Sequence, residues 1–555
     1  MVWWSTLKAG LYHAVLSDTD AHMNAGSASR SWLPSRFRTL WPGGTPAWAY
    51  VLALATICAV SRLPQLLSPN LLADGDECVL GLMAKHVAQG KEFPIFFYGQ
   101  HYAFSAVETV VSALGFLVAG VGAVQLKLAG LALWTAGIVF LFLALSRLLG
   151  AARSFWIAVV LVLHPAWSVW SMRMGGGYLT AFAASSVLVW LLVRERERET
   201  AWRWRVAGAL TAVIYLAQPL WLPGVIPIVG VALVRRRRLP WTLDYAAVAV
   251  VVALVIKIGT VAPDQPWNGP TVGNPALVAS LPAVAKQIYL ALTGSHYLYW
   301  AIDPPGPATI ALAAIWSGVL AAAVLMQLYR LIARRYSALS ALLFVSVAST
   351  LAAEWVLLAA RDARYLLPLT GLLVPLAGVE LLDLSDRRLV PKPAVYAITA
   401  ILVALGSLSA GEFRAFNFLW TNPPQRWTEA KRLQQVFNYL SARDVRRVFS
   451  KNGMLDTQLI FYSNEQVISR TDPVGKYPPY VTEVDRALAN GERAAVVGYT
   501  NQSGAPGCWN VPICTGGIEG QIPNPESIFT VDDKYFVYVG ANRDLLTRLG
   551  FQFRD

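Results

Sequence analysis

Long apolar runs separated by short arginine-bearing gaps fill the first 411 residues, and after that the pattern changes to short strands and amphipathic helices. A helix needs about 20 mostly apolar residues to cross the hydrocarbon of a bilayer. Runs of this kind lie at 46–66, 125–147, 155–171, 178–193, 206–219, 220–234, 243–262, 307–328, 338–359, 365–383 and 393–411. They predict an all-α polytopic membrane domain of about 11–13 spans. Residues 106–121 are apolar but short, and are expected to insert only partly. The 206–234 stretch is interrupted at Gln218-Pro219-Leu220-Trp221-Leu222-Pro223-Gly224, a break tolerated where backbone lines a polar cavity. No fixed-period repeat is visible, and the two halves do not match as inverted repeats.

Beyond 411 the periodicities alternate. Ala430–Leu440 and Val481–Leu488 carry helical spacing, whereas Arg447–Ser450, Glu465–Ser469, Ala494–Tyr499 and Tyr535–Val539 read as short strands. Helices alternating with apolar strands predict a small α/β domain over 412–555. Gly498 and Gly516-Gly517 form no nucleotide fingerprint, and no catalytic motif stands out in this part.

Charge changes the picture in two ways. Only 14% of the 555 residues are charged against 55% hydrophobic; a soluble chain carries roughly 25% charged residues. The net charge of +13 belongs almost wholly to the membrane part, since 412–555 holds 16 basic and 15 acidic residues. The excess therefore reads as topology rather than as a nucleic-acid surface. Arginines at 194–205, 235–238, 330–335 and 387–388 mark cytoplasmic loops. On that scheme 1–44 is a cytoplasmic segment, 46–66 is an uncleaved anchor, and the membrane domain covers 45–411. Loops 67–105 and 263–306 then face outward, as does 412–555, in an inner (plasma) membrane. Cys508 and Cys514 are compatible with either a small disulfide loop or two thiols.

The candidate chemistry lies in the first outer loop, Asp74-Gly-Asp-Glu77. Val79, Leu80, Leu82, Met83 and Val87 predict an amphipathic helix over 77–89 lying along the interface, with Asp76 at its start. An N-cap role accounts equally well for Asp76 alone. Three carboxylates within four residues exceed what capping uses. His86, His101, His164 and His296 show no ligand spacing, so no metal site is predicted from them. His296-Tyr297 suits stacking on a sugar, although interfacial aromatics also serve as membrane anchors.

The stretches Asp74-Gly-Asp-Glu-Cys-Val-Leu-Gly-Leu-Met-Ala-Lys-His-Val, Phe93-Pro-Ile-Phe-Phe-Tyr-Gly-Gln-His-Tyr102 and Arg364-Tyr-Leu-Leu-Pro368 resemble bacterial membrane glycosyltransferases of the GT-C superfamily. They are similar to protein mannosyltransferases and aminoarabinose transferases. The chain departs from that pattern at Ala103-Phe-Ser-Ala-Val-Glu108, where a Gly-Ser-Leu-Glu-like run is expected. The resemblance implies transfer of a sugar from a polyprenyl-phosphate carrier to a hydroxyl of an envelope glycan, lipid or protein, with inversion. By motif position, Asp76 is the base, assisted by Glu77 and Asp74 through hydrogen bonds or a bound divalent cation. Arg364 and Arg361, then Lys85 and Arg173, are the candidate partners of the donor phosphate. Tyr365, His101, Tyr102, His296 and Tyr297 are the candidate substrate contacts. A lipid-linked-sugar flippase or other transporter, and a non-catalytic envelope scaffold, are the competing readings. A transporter calls for functional charges at mid-membrane, whereas this acidic run lies in a loop.

Overall fold

A computed structural model describes residues 47–68, 71–100, 103–193, 200–236, 239–258, 281–294, 306–333, 337–357, 363–412, 429–471, 476–500, 528–532 and 534–553. Among these, seven helices are long and apolar enough to cross a membrane: Ala47–Leu66, Ala123–Leu149, Leu239–Ile258, Pro307–Arg330, Ala338–Trp355, Ala363–Asp386 and Lys392–Glu412. Shorter apolar helices run over Ala106–Ala119, Ala151–Val162, Tyr178–Val193 and Pro219–Val234. The chain is a multi-pass membrane protein with an all-helical bundle followed by a small α/β domain.

The 106–121 run is as short as expected, whereas other elements depart from expectation. The Ala106–Ala119 helix has 14 residues, about 21 Å at 1.5 Å per residue, short of the roughly 30 Å hydrocarbon core. The 155–171 run is not one helix. It breaks after Val162 and resumes as Pro165–Trp170, because Pro165 lacks the N–H a continuing helix needs. Arg62, fully buried, spans that break. Its guanidinium donates to Val162 O at 2.8 Å, Trp167 O at 3.0 Å and Ser171 Oγ at 2.7 Å, and it lies 4.9 Å over the Trp134 ring. The expected outer loop 263–306 contains a helix, Leu281–Thr293, whose Val284, Ala291 and Leu292 are buried against neighbouring helices.

The C-terminal domain is a five-stranded sheet of order β2-β1-β3-β5-β4. Its strands are β1 (Arg447–Phe449), β2 (Ile468–Arg470), β3 (Ala494–Tyr499), β4 (Phe529–Val531) and β5 (Tyr535–Val539). The β1–β2 and β1–β3 pairs are parallel, and β3–β5 and β4–β5 are antiparallel. The helix Gly453–Tyr462 connects β1 to β2 and has no counterpart in the sequence reading. It packs directly on the membrane domain. Cys508 and Cys514 lie outside the described residues.

That helix packs along the one that carries the acidic run, Gly75–Ala88. The latter is not an amphipathic helix lying open on the interface, as predicted. Its residues from Glu77 to His86 are all buried, between the Ala106–Ala119 helix on one side and Gly453–Tyr462 on the other. Close approach depends on two glycines. A Cβ on Gly75 would meet Met454 Cα at 2.5 Å, and one on Gly81 would meet the Phe461 ring at 2.4 Å. Thr457 Oγ1 donates to Gly75 O at 2.8 Å, Gln458 Nε2 to Ala73 O at 3.1 Å, and the Ala73 amide to Tyr462 Oη at 2.7 Å.

Candidate active site

The acidic run begins a helix, and its three carboxylates divide the work. Asp74, not Asp76, is the N-cap. Its Oδ1 accepts from the Glu77 amide at 2.9 Å, and Glu77 Oε2 accepts in return from the Asp74 amide at 3.1 Å. This reciprocal capping box satisfies backbone donors that a helix start leaves unpaired. Asp76 therefore stands in the first turn with no capping duty.

Each carboxylate meets a different cation. Asp74 Oδ2 accepts from Arg173 Nε at 2.9 Å and Nη2 at 2.7 Å. Both Glu77 oxygens lie 2.6 Å from Lys127 Nζ, with both side chains fully buried; Glu77 Oε1 also accepts from the Met174 amide at 3.2 Å. Asp76 keeps a looser arrangement. Its Oδ2 is 3.9 Å from Arg173 Nη2 and its Oδ1 is 3.9 Å from Lys476 Nζ, with the side chain 29% exposed.

Burial pushes the Asp74 carboxyl up, but Arg173, the Glu77 amide and Lys127 outweigh it and hold Asp74 below its usual value. Burial keeps Glu77 above its usual value, Lys127 opposing and Asp74 adding to the rise. Glu77 is thus a buried framework group, tied to Lys127 and to the helix start rather than to Asp76.

The loop that delivers Arg173 is shaped by three successive glycines, Gly175, Gly176 and Gly177, at φ +133°, +71° and +75°. Side chains are disfavoured in that region, and a Cβ on Gly177 would lie 2.5 Å from Ala217 O. Glu108, fully buried, holds the loop through the Gly175 amide at 3.1 Å and the Thr180 amide at 3.4 Å. This carboxylate, left without a role by the departure around 103–108, therefore anchors the loop carrying Arg173. Arg173 itself lies 5.0 Å over the Trp170 ring.

Other predicted residues go elsewhere. Lys85 is at the far end of the helix from Asp76. It ion-pairs with Glu465 and donates to Asn464 O at 3.0 Å, so it fastens the C-terminal domain rather than facing a phosphate beside Asp76. Arg364 lies in the turn Ala363–Leu366 and donates to Tyr365 Oη at 3.3 Å, its cation 5.1 Å from the Tyr365 ring. Both belong to a part of the bundle that packs on Leu281–Thr293 and Leu367–Asp386. Arg361, His101, Tyr102, His296 and Tyr297 lie outside the described residues.

Two site residues escaped sequence reasoning. Lys127 was visible as a lone charge in the first turn of an apolar span, a pattern that signals a partner. Lys476 carried no local signal. Among the described residues no group of three or more His, Cys, Asp and Glu is placed to hold a metal ion. With Asp74 and Glu77 engaged by Arg173 and Lys127, Asp76 is the loosely held carboxylate of the run, facing Arg173 and Lys476 at 3.9 Å each.

No family model and no curated protein matches the sequence. Solved structures match over most of it. ArnT from Cupriavidus metallidurans, bound to undecaprenyl phosphate, is 15% identical, with 90% of this chain and 99% of that chain covered at a TM-score of 0.55. The Archaeoglobus fulgidus oligosaccharyltransferase, in complex with Zn and sulfate, is 13% identical, with 86% and 68% covered at a TM-score of 0.52. The chain thus shares its overall fold, an apolar helical bundle followed by a small sheet domain, with these two solved structures.

Proposed function

We propose that the chain is a membrane glycosyltransferase that moves a sugar from a polyprenyl-phosphate carrier to a hydroxyl of an envelope acceptor. The observation that carries the reading is the looseness of Asp76: of three clustered carboxylates it alone has no capping bond and no cation closer than 3.9 Å, and its side chain is partly exposed. The shared fold with a protein bound to undecaprenyl phosphate supports the donor class. Residues 45–411 form the transferase domain and 412–555 an outer domain, in an inner membrane with the N-terminus cytoplasmic, as the arginine-rich loops indicate.

In this mechanism Asp76 takes the proton of the acceptor hydroxyl as its oxygen attacks the anomeric carbon. The bond from that carbon to the phosphate oxygen breaks, and the lipid phosphate departs with the electron pair. Attack from the face opposite the leaving group inverts the centre. Fixed cations stabilise the growing charge, and of the predicted cations Arg173, 3.9 Å from Asp76, is the one beside the base. Asp74, Glu77 and Lys127 hold the helix start in place.

The test is transfer from radiolabelled polyprenyl-phosphate sugar in proteoliposomes. General-base catalysis contributes about 10²–10⁴-fold, so Asp76→Asn should lose at least about 10²-fold in kcat with unchanged membrane insertion. Full-rate transfer by this variant would end the assignment.

A further inference from the structure

We infer that Lys476, supplied by the C-terminal domain, acts with Arg173 as a two-cation clamp on the phosphate of the lipid carrier, so that the site is complete only while the two domains are docked. This rests on the donor class proposed above.

The geometry begins with Asp76. Arg173 approaches one of its oxygens and Lys476 the other, each at 3.9 Å. A charge-assisted hydrogen bond is about 2.7–2.9 Å long. Neither cation is closed onto Asp76, and both remain partly exposed, at 13% and 30%. Each is therefore placed to reach a second anionic oxygen without leaving the first. A phosphate on the far side of the anomeric carbon from Asp76 still brings a second negative charge near it, which is unfavourable unless cations stand between them. Arg173 is already held by Asp74 at 2.7 Å. Lys476 is the cation nearest the Oδ1 side of Asp76, and a compact ammonium suits a phosphate oxygen.

Lys476 is held where this requires. Its ammonium lies 5.4 Å from the Phe97 ring. Gly99, at φ +72°, lets the outer loop approach so closely that a Cβ there would lie 3.1 Å from Lys476 O. The neighbouring Tyr477 ring packs 4.6 Å from Tyr98. One turn deeper, His86 sits between Tyr98 Oη at 2.7 Å and Tyr480 Oη at 3.1 Å, and Lys85 pairs with Glu465. These contacts do not touch Asp76. They fix the segment that carries Lys476 against the membrane domain.

The experiment measures undecaprenyl phosphate binding to the full chain in lipid nanodiscs by quenching of tryptophan emission, with thermal unfolding recorded in parallel. Loss of a hydrogen bond to a charged group is worth about tenfold or more in affinity. Lys476→Met should weaken binding by at least about tenfold at an unchanged melting temperature. Lys476→Arg should recover most of the loss. Wild-type affinity in Lys476→Met overturns the clamp while leaving the donor assignment intact. A wild-type chain that binds no undecaprenyl phosphate overturns the donor assignment and the clamp with it. Equal loss in the Met and Arg variants also overturns the clamp, since a cation at that position would then be irrelevant.

Discussion

Replacing Lys127 with methionine isolates what the buried ion pair contributes to the start of the Gly75–Ala88 helix. Lys127 Nζ lies 2.6 Å from each Glu77 oxygen, and both side chains are fully buried. At an effective dielectric of about 20 the attraction at that separation is roughly 6 kcal/mol. Desolvation of the two ions costs several kcal/mol each, so the intact pair is close to neutral in net stability. Removing the lysine alone leaves a buried carboxylate with only the Asp74 and Met174 amides, a loss of about 3–5 kcal/mol. Removing both charges, in Lys127→Met with Glu77→Gln, should recover most of it. The sign with pH follows from the raised Glu77 value: an acid whose folded pKa lies above its unfolded one loses stability as pH rises. The Lys127→Met defect should therefore be smaller at pH 5 than at pH 8. The assay is thermal unfolding of the full chain in nanodiscs at both pH values. If the single and double variants melt alike, or the defect grows on acidification, the pair does not hold the helix start as argued.

Asp456 gives a second pH signature. Burial raises its carboxyl from 3.8 to about 7, with Ser469, Arg470 and Lys476 opposing. The shift corresponds to roughly 4 kcal/mol, lost as pH climbs from about 4 to about 7; Asp456→Asn should flatten that slope and melt higher than wild type at pH 8. In the helix contact, Gly75→Ala should destabilise more than Gly81→Ala in the same melts. The first Cβ meets backbone of Met454, whereas the second meets a Phe461 ring that can turn aside. Helix propensity alone favours alanine by about 1 kcal/mol, so equal or raised melting temperatures in Gly75→Ala would show that the two helices are not in contact there.

The spans were legible because a bilayer leaves little choice: backbone must be satisfied internally, so apolar runs become helices. Predicted 178–193 and 393–411 correspond to helices Tyr178–Val193 and Lys392–Glu412. What the runs concealed were helices shielded by context, such as Leu281–Thr293 within an expected loop and Gly453–Tyr462 within an expected connection. The division of roles in the acidic run was also present in the chain, since Asp74 and Glu77 are spaced as a capping box. Reading that spacing first would have released Asp76 from the cap and assigned Asp74 to it. Lys127 announced itself as a charge without naming its partner, 50 positions away. Lys476 and Tyr462 belong to a different kind of information. The contact of Tyr462 with Ala73 closes a separation of 389 residues, which no local periodicity encodes. It depends on two glycines on one helix fitting the backbone and side chains of another. A site assembled across domains is legible only in the half that carries the motif; the half that closes it is specified by shape, and shape is distributed over every residue that lets the two helices meet.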